Sequence, residues 1–390
     1  MSMTILIVDD EKNARKGLSE FLQPQGYEVI EAEKLAEAYE QLDQGNADIV
    51  LLDVKLPDGV GTSLLEETAH IPYRPPIIMI TAYGEVDMAV KAMNDGAFYF
   101  LQKPINLEHL KALIEKASDK VKLFRQLAAI QRNQQQEANF IVGKSTAMQE
   151  ALELAERAAE ASASTLITGE TGTGKEVIAQ YMYSVGSRKN TIFLPIDCGV
   201  IQPTMLETEL FGHEAGAFTS ADKRKIGLME AADGGILFLD EISSMPVEVQ
   251  TKLLRALESQ SFRRLGGTKE INVDVQVIAA SNKNLPEMIE AGDFREDLYY
   301  RLNLMEIQMP SLAERKEDVP DLVGHFVNKF APKYGKNITD VTPAALEAMT
   351  NYTYKGNIRD LRNVIERAVI LCDDAAIDLP HLPRDMAVPA

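Results

Sequence analysis

Residues 165–178 read TLITGETGTGKEVI. A short apolar run with Leu166 and Ile167 enters Gly169, Glu170, Thr171, Gly172, Thr173, Gly174 and Lys175, and a helix-forming stretch leaves it. Glycines at this spacing let backbone N–H groups turn inward around a di- or triphosphate. The helix that follows adds the positive end of its dipole, and Lys175 reaches the terminal phosphates. A glycine-rich turn before a helix has the same spacing, so the rest of the chain decides between the two.

Two further apolar runs supply that context. Gly234-Gly-Ile-Leu-Phe-Leu239 ends in Asp240-Glu241, which suits Asp240 on Mg²⁺ and Glu241 polarising an attacking water. Val275-Gln-Val-Ile-Ala-Ala280 ends in Ser281-Asn282, where Asn282 orients that water or senses the γ-phosphate. A phosphate loop, an acid pair and a polar sensor at three strand ends define an ATP-hydrolysing α/β domain. One position departs from the simple motif. Glu176 stands where a Ser or Thr hydroxyl usually contacts Mg²⁺, and it reaches the metal directly or through water.

The totals are consistent with a soluble multidomain protein. At 390 residues the chain is too long for one ordinary core. A net charge of −19 argues against non-specific binding of DNA or membrane by the whole surface. Cys198 and Cys372 lie in separate regions without metal-ligand spacing, the N-terminus has no signal-peptide pattern, and no apolar run approaches a membrane span. Cytoplasmic localisation is expected.

Upstream, residues 1–118 alternate apolar runs with helical-period stretches. Residues 4–8, 49–52, 77–80 and 98–101 read as buried parallel strands, with amphipathic segments such as 14–22 and 35–42 between them. That is a flavodoxin-like, doubly wound pattern, whose ligand crevice lies beyond the carboxyl ends of the strands. At those ends stand Asp9 and Asp10, Asp53, Thr81, and Lys103 before Pro104. Three carboxylates, a hydroxyl and a lysine make a Mg²⁺ site with a nucleophilic carboxylate.

This domain resembles the receiver of a two-component response regulator over its whole length. The resemblance implies that Asp53 accepts a phosphoryl group from a cognate sensor histidine kinase. It implies that Asp9, Asp10, Asp53 and the carbonyl of Lys55 hold Mg²⁺. Lys103 pairs with the phosphoryl group, Thr81 reports it, and Phe100 takes the place of the switch aromatic. The added charge of about −2 would draw Thr81 inward and shift a neighbouring surface.

Residues 119–138 are read as a helical linker. Leu110, Leu113, Ala117, Phe124 and Leu127 keep 3–4 spacing interrupted at Lys120, before a Gln-rich run. Two readings stand side by side: a two-stranded coiled coil continuing the last receiver helix, and a solvated helix against its own receiver.

Residues 139–310 and a helical lid subdomain with tail at 311–390 carry a closer resemblance. GETGTGKE, Glu209-Leu-Phe-Gly-His-Glu-Ala-Gly-Ala-Phe-Thr219, GGILFLDEI, Phe294-Arg-Glu-Asp-Leu-Tyr-Tyr-Arg301-Leu and Gly356-Asn-Ile-Arg359 are similar to the AAA+ domain of NtrC-type, sigma-54-dependent activators. Glu at position 176 is usual in that family. The resemblance implies a dimer when inactive and a ring, commonly a hexamer, when active, with ATP between subunits. Arg295 and Arg301 would act in trans on the neighbour's γ-phosphate, and Arg359 would be the sensor in cis. Ile141 and Val142 would line the adenine pocket. Gly216, Ala217, Phe218, Thr219, Ser220 and Ala221 would form the loop that meets sigma-54, with Phe218 and Thr219 at its tip.

Three positions depart from the family. Ser220 replaces a glycine in the loop, which restricts φ. Asp197 stands where an Asn usually contacts the Walker B Glu; an ionised Asp cannot donate to a carboxylate. Ala313 replaces an Arg, with no consequence assigned. The family usually continues into a helix-turn-helix domain, but here residues 380–390 are Pro-rich and no recognition-helix pattern or basic cluster is evident. A removed DNA-binding domain and action without DNA binding are both compatible with that. The expectation is a phosphorylation-regulated ATPase that remodels sigma-54 RNA polymerase to activate transcription. The alternatives are an ATPase with a different protein client, and a non-hydrolysing phospho-dependent scaffold or repressor.

Overall fold

The computed structural model describes residues 3–68, 74–81, 92–93, 96–137, 143–218, 221 and 224–386, with the side chains of 123–137 outside the description. Ile141, Val142, Thr219 and Ser220 lie outside the described residues. The chain forms two compact units, one from residues 1–133 and the other, for the most part, from residues 134–390.

The first unit is built on strands β1 (Met3–Val8), β2 (Tyr27–Ala32), β3 (Ile49–Asp53), β4 (Ile77–Thr81) and β5 (Tyr99–Gln102). They form one parallel sheet in the order β2-β1-β3-β4-β5. Among the described residues, helices α1 (Lys12–Leu22), α2 (Leu35–Asp43), α3 (Thr62–Glu67) and α4 (Leu107–Glu137) accompany it. Side chains alternate across a strand, so each strand feeds two cores. Leu6, Val8, Val50 and Leu52 pack with Leu35, Ala38 and Leu42 of α2 on one face. Ile5, Ile7, Ile49 and Leu51 pack with Leu18 and Leu22 of α1 and Leu110, Leu113 and Ala117 of α4 on the other. Burial on both faces is why β1, β3 and β4 read as unbroken apolar runs. The edge strand β2 interleaves Glu28 and Glu31 with Val29 and Ile30, and the apolar-run criterion therefore passes over it. Strand β5 begins one residue later than the apolar run suggests. Helix α4 runs unbroken for 31 residues, so the segment read as a linker continues the last helix of this unit.

The second unit opens with α5 (Thr146–Glu160), β6 (Thr165–Thr168), α6 (Lys175–Val185), β7 (Phe193–Asp197) and α7 (Pro203–Phe211). Next come β8 (Ile236–Asp240), α8 (Val247–Ser259), β9 (Gln276–Ser281), α9 (Leu285–Ala291), α10 (Glu296–Leu302) and β10 (Met305–Gln308). Its sheet is parallel, in the order β10-β6-β9-β8-β7. The strand that feeds the phosphate loop is therefore interior, with β9 and then β8 beside it. Ile167, Phe238, Ile278 and Ile307 from four strands pack against Ala151, Leu152 and Ala155 of α5 and Ile178 and Met182 of α6.

The lid comprises α11 (Val319–Lys333), α12 (Pro343–Asn351) and α13 (Asn357–Leu371) around its own core, including Val323, Phe330, Met349, Leu361 and Ile365. No described helix is long and apolar enough to cross a membrane.

Candidate active sites

In the first unit the carboxyl ends of β1 and β3 deliver Asp9 and Asp53, both buried, and Asp10, which is exposed. Their carboxylate oxygens lie within 4.8 Å of one another. Hard oxygen donors at that separation suit Mg²⁺. Lys103 Nζ donates to Asp9 Oδ2 at 2.9 Å and to Asp53 Oδ2 in a short contact. Burial alone would lower the Lys103 pKa, but its bonds to Asp53 and Asp9 outweigh that and push it up to about 12. The ammonium stays charged and offsets the repulsion among three acids. Lys55 N donates to Asp53 Oδ1 at 3.1 Å, and Thr81 is buried at the end of β4. Motif reading passed over one residue here. Arg15 donates to the carbonyls of Asp9 at 2.6 Å and Asp10 at 3.2 Å, bracing the turn that presents both acids. Its i+5 and i+6 spacing carries no motif.

In the second unit the phosphate loop lies between β6 and α6, with Gly169, Gly172 and Gly174 at φ +145°, +80° and +100°. Gly172 also has no room for a side chain, since a Cβ there would sit 2.1 Å from the Gly356 carbonyl oxygen. These φ values turn successive N–H groups toward one point. Lys175 Nζ donates to the carbonyls of Gly169 at 2.8 Å and Glu170 at 3.0 Å, and burial lowers its pKa.

A cavity of about 500 Å³ runs from this loop to the lid. Asp240, Glu241, Asn282, Glu176 and Arg359 line it beside the loop; Met148, Leu152, Leu322 and Phe326 form its apolar end. Its size and its division into a polar and an apolar end suit a nucleotide.

Burial raises the pKa of both Glu176 and Asp240; the charge of Asp240 adds to the effect at Glu176, whereas Lys175 and Arg359 oppose it at Asp240. Oxygen donors at Glu176 and Asp240 suit Mg²⁺ beside the phosphates. Glu241 adopts left-handed φ/ψ of +50° and +46°, a strained state for a non-glycine residue that fixes the direction of its carboxylate. A Cβ on Gly199 would lie 2.2 Å from Glu241 Oε2 and 3.2 Å from Asp197 Oδ1, so the two carboxylates flank one backbone position. Asp197 Oδ1 also accepts from Gly199 N at 2.8 Å and Val200 N at 3.2 Å. Asn282 Nδ2 donates to Thr171 Oγ1 at 3.0 Å.

Not every anticipated residue converges there. Arg295 stands at the N-cap position of α10 and pairs with Asp297, and Arg301 Nη2 donates to the Leu257 carbonyl at 2.8 Å. Neither lines the cavity of its own chain. Gly216, Ala217, Phe218 and Ala221 lie between the paired strands Gly212–His213 and Lys225–Ile226, with a Gly216 N to Ala221 O bond of 2.8 Å closing the loop. His213 is a buried residue of that hairpin, and its ring meets Phe218 edge-on at 4.8 Å. Buried Arg264 joins the loop root, bonding Glu214 and Glu230.

Two lid residues went unassigned in the sequence. Arg315, 4% exposed, donates to the Thr173 carbonyl of the phosphate loop at 2.5 Å. Fully buried Asp318 accepts from Lys144 N at 2.6 Å, Ser145 N at 2.9 Å and Ser145 Oγ at 2.8 Å.

Three family profiles match the chain: response regulator receiver domain over residues 5–115, sigma-54 interaction domain over 141–308, and AAA+ ATPase lid domain over 313–389. The regulatory protein AtoC of Escherichia coli is 38% identical over 387 residues, covering 99% of this chain and 84% of AtoC. The response regulator protein PilR of Pseudomonas aeruginosa is 38% identical, covering 96% and 83%. The crystal structure of NtrX from Brucella abortus in complex with ADP superposes with a TM-score of 0.59 at 34% identity, covering 100% of this chain and 87% of that one. The chain therefore belongs to the NtrC-type family of response regulators, the sigma-54-dependent transcriptional activators. It is a phospho-receiver regulator and an AAA+ ATPase.

Proposed function

We propose that Asp53 is the phosphoacceptor, that a sensor histidine kinase supplies the phosphoryl group, and that phosphorylation drives assembly of a cytoplasmic ring from a dimer. The domains are a receiver at 1–118, a helical linker at 119–138, an ATPase α/β subdomain at 139–310 and a lid with tail at 311–390. One observation carries the catalytic reading: the phosphate loop, Asp240, Glu241, Asn282 and Arg359 face a single cavity. Glu241 holds the attacking water and takes its proton as oxygen bonds to the γ-phosphorus and the bridge to ADP breaks. Lys175 and Arg359 bind the phosphates, while Asp240 and Glu176 hold Mg²⁺, which supplies charge neutralisation at the transferring group. In the receiver, Asp9, Asp10, Asp53 and the Lys55 carbonyl hold a second Mg²⁺, and Lys103 and Thr81 engage the phosphoryl oxygens. Ile141 and Val142, which lie outside the described residues, are assigned to adenine contact by the family resemblance alone.

Neither Arg295 nor Arg301 lines the cavity of its own chain, and Arg301 lines a separate hollow with exposed Tyr300 and Leu304, which supports their action on a neighbour's nucleotide. The loop of residues 216–221 transmits the cycle to sigma-54. Its test is capture of purified sigma-54 by the full chain with ADP and aluminium fluoride, a mimic of the transferring phosphoryl group. A stable complex is expected. No complex, from a chain that turns over ATP and forms rings, would overturn the assignment of that loop and shift the reading to another client.

Asp197 gives a finer prediction. In Asp197→Asn, Oδ1 keeps its bonds to Gly199 and Val200 while Nδ2 becomes a donor to Glu241. A charge-assisted hydrogen bond that holds Glu241 off the water is expected to lower basal turnover about fivefold, for about 1 kcal/mol. Unchanged turnover and unchanged sigma-54 capture would remove Asp197 from the coupling.

A further inference from the structure

Asn357 stands at the point where the lid meets the phosphate loop, and no motif reading gives it work. It is 1% exposed and holds φ at +52°, a left-handed conformation that L side chains rarely adopt and Asn tolerates better than most. Its amide is used at both ends. Oδ1 accepts from Leu312 N at 2.7 Å, at the start of the lid segment that carries Arg315. Nδ2 donates to Glu170 Oε2 at 2.9 Å and to the Thr171 carbonyl at 3.2 Å, both in the phosphate loop. The next residue, Ile358, donates its N–H to the Gly172 carbonyl at 3.0 Å. One residue further on, Arg359 faces the nucleotide cavity. A single side chain thus ties the phosphate loop, the first lid segment and the helix bearing Arg359.

These partners fix what the residue must be. The atom facing Leu312 N must accept, and the atom facing a carboxylate and a carbonyl must donate; only an amide of this length does both. They also fix what the tie does. A loop that turns its N–H groups inward to phosphate must turn carbonyls outward, and the carbonyls of Thr171 and Gly172 are those held by Asn357 and Ile358.

We infer that Asn357 is a positioning residue that couples phosphate-loop occupancy to lid docking through Glu170, so that nucleotide binding and the placement of Arg359 reinforce each other. This rests on the proposed nucleotide site. The coupling is reciprocal: a phosphate that stabilises the outward carbonyls strengthens the lid contact, and a docked lid favours the loop conformation that binds phosphate.

The experiment is a double-mutant cycle on the full chain, read as the Kd of a fluorescent ADP analogue. Asn357→Asp faces Glu170 with a second carboxylate and is expected to weaken binding about tenfold. Adding Glu170→Gln supplies a donor to the new carboxylate, and the double variant is expected to bind more tightly than N357D alone, by about threefold or more. A role in folding alone would lower stability with and without nucleotide and would not be rescued at Glu170. Asn357→Gly, which accepts the same φ and deletes the amide, should weaken binding like N357D and provides the variant if N357D does not fold. Asn357 variants binding within twofold of wild type, or no rescue by E170Q, overturn the inference. Binding that also ignores Lys175→Ala would overturn the nucleotide-site reading with it, whereas binding lost in K175A but intact in N357D and N357G overturns the coupling alone.

Discussion

Replacing Lys175 by alanine is expected to lower ATP turnover at least a hundredfold, a loss of about 2.7 kcal/mol or more of transition-state stabilisation. The ammonium sits beneath the phosphate loop, bonded to the carbonyls of Gly169 and Glu170, where burial already disfavours its charge. A buried cation held by carbonyls is poised to exchange them for phosphate oxygens, a stronger charge-assisted partner. Negative charge grows on the bridge oxygen and the β-phosphate as ADP departs, so the interaction of the ammonium with the phosphates strengthens along the reaction. Alanine removes that donor while relieving a buried charge, and the domain should remain folded. Phosphate release measured on the full chain is the readout, with circular dichroism as the control. Turnover within tenfold of wild type would mean that ATP is hydrolysed elsewhere.

Asp53→Asn is expected to abolish covalent labelling by acetyl phosphate, with incorporation at least about fiftyfold below wild type, since an amide is no nucleophile. The substitution is close to isosteric. Asn Oδ1 can still accept from Lys55 N, and Lys103 keeps its 2.9 Å bond to Asp9. A loss of labelling would therefore report the missing nucleophile, with an unchanged thermal midpoint as the check. Labelling that persists at the wild-type level would place the phosphoacceptor on another residue and remove Asp53 from the role proposed for it.

Strand ends were legible because parallel strands buried on both faces write themselves as unbroken apolar runs, with their functional residues immediately after. Asp9, Asp53, Asp240, Glu241 and Asn282 all follow such runs. The half-buried edge strand Tyr27–Ala32 did not announce itself in this way, because two glutamates interrupt its apolar residues. Glycine spacing likewise marked the phosphate loop, since only glycine suits φ of +80° and +100° there.

The sequence alone therefore determined the two α/β units, their phosphate chemistry and the family. The tertiary structure decided which polar residues serve those sites from a distance. Arg315 meets Thr173 across 142 positions, Asp318 meets Ser145 across 173, and Asn357 meets Glu170 across 187. No periodicity links such pairs. Each lies in a short irregular segment or at a helix start, where an Arg, Asp or Asn reads as a surface residue or a cap. Only the fold, by burying these groups against another segment's backbone, makes a hydrogen-bond partner obligatory and so gives each of them its role.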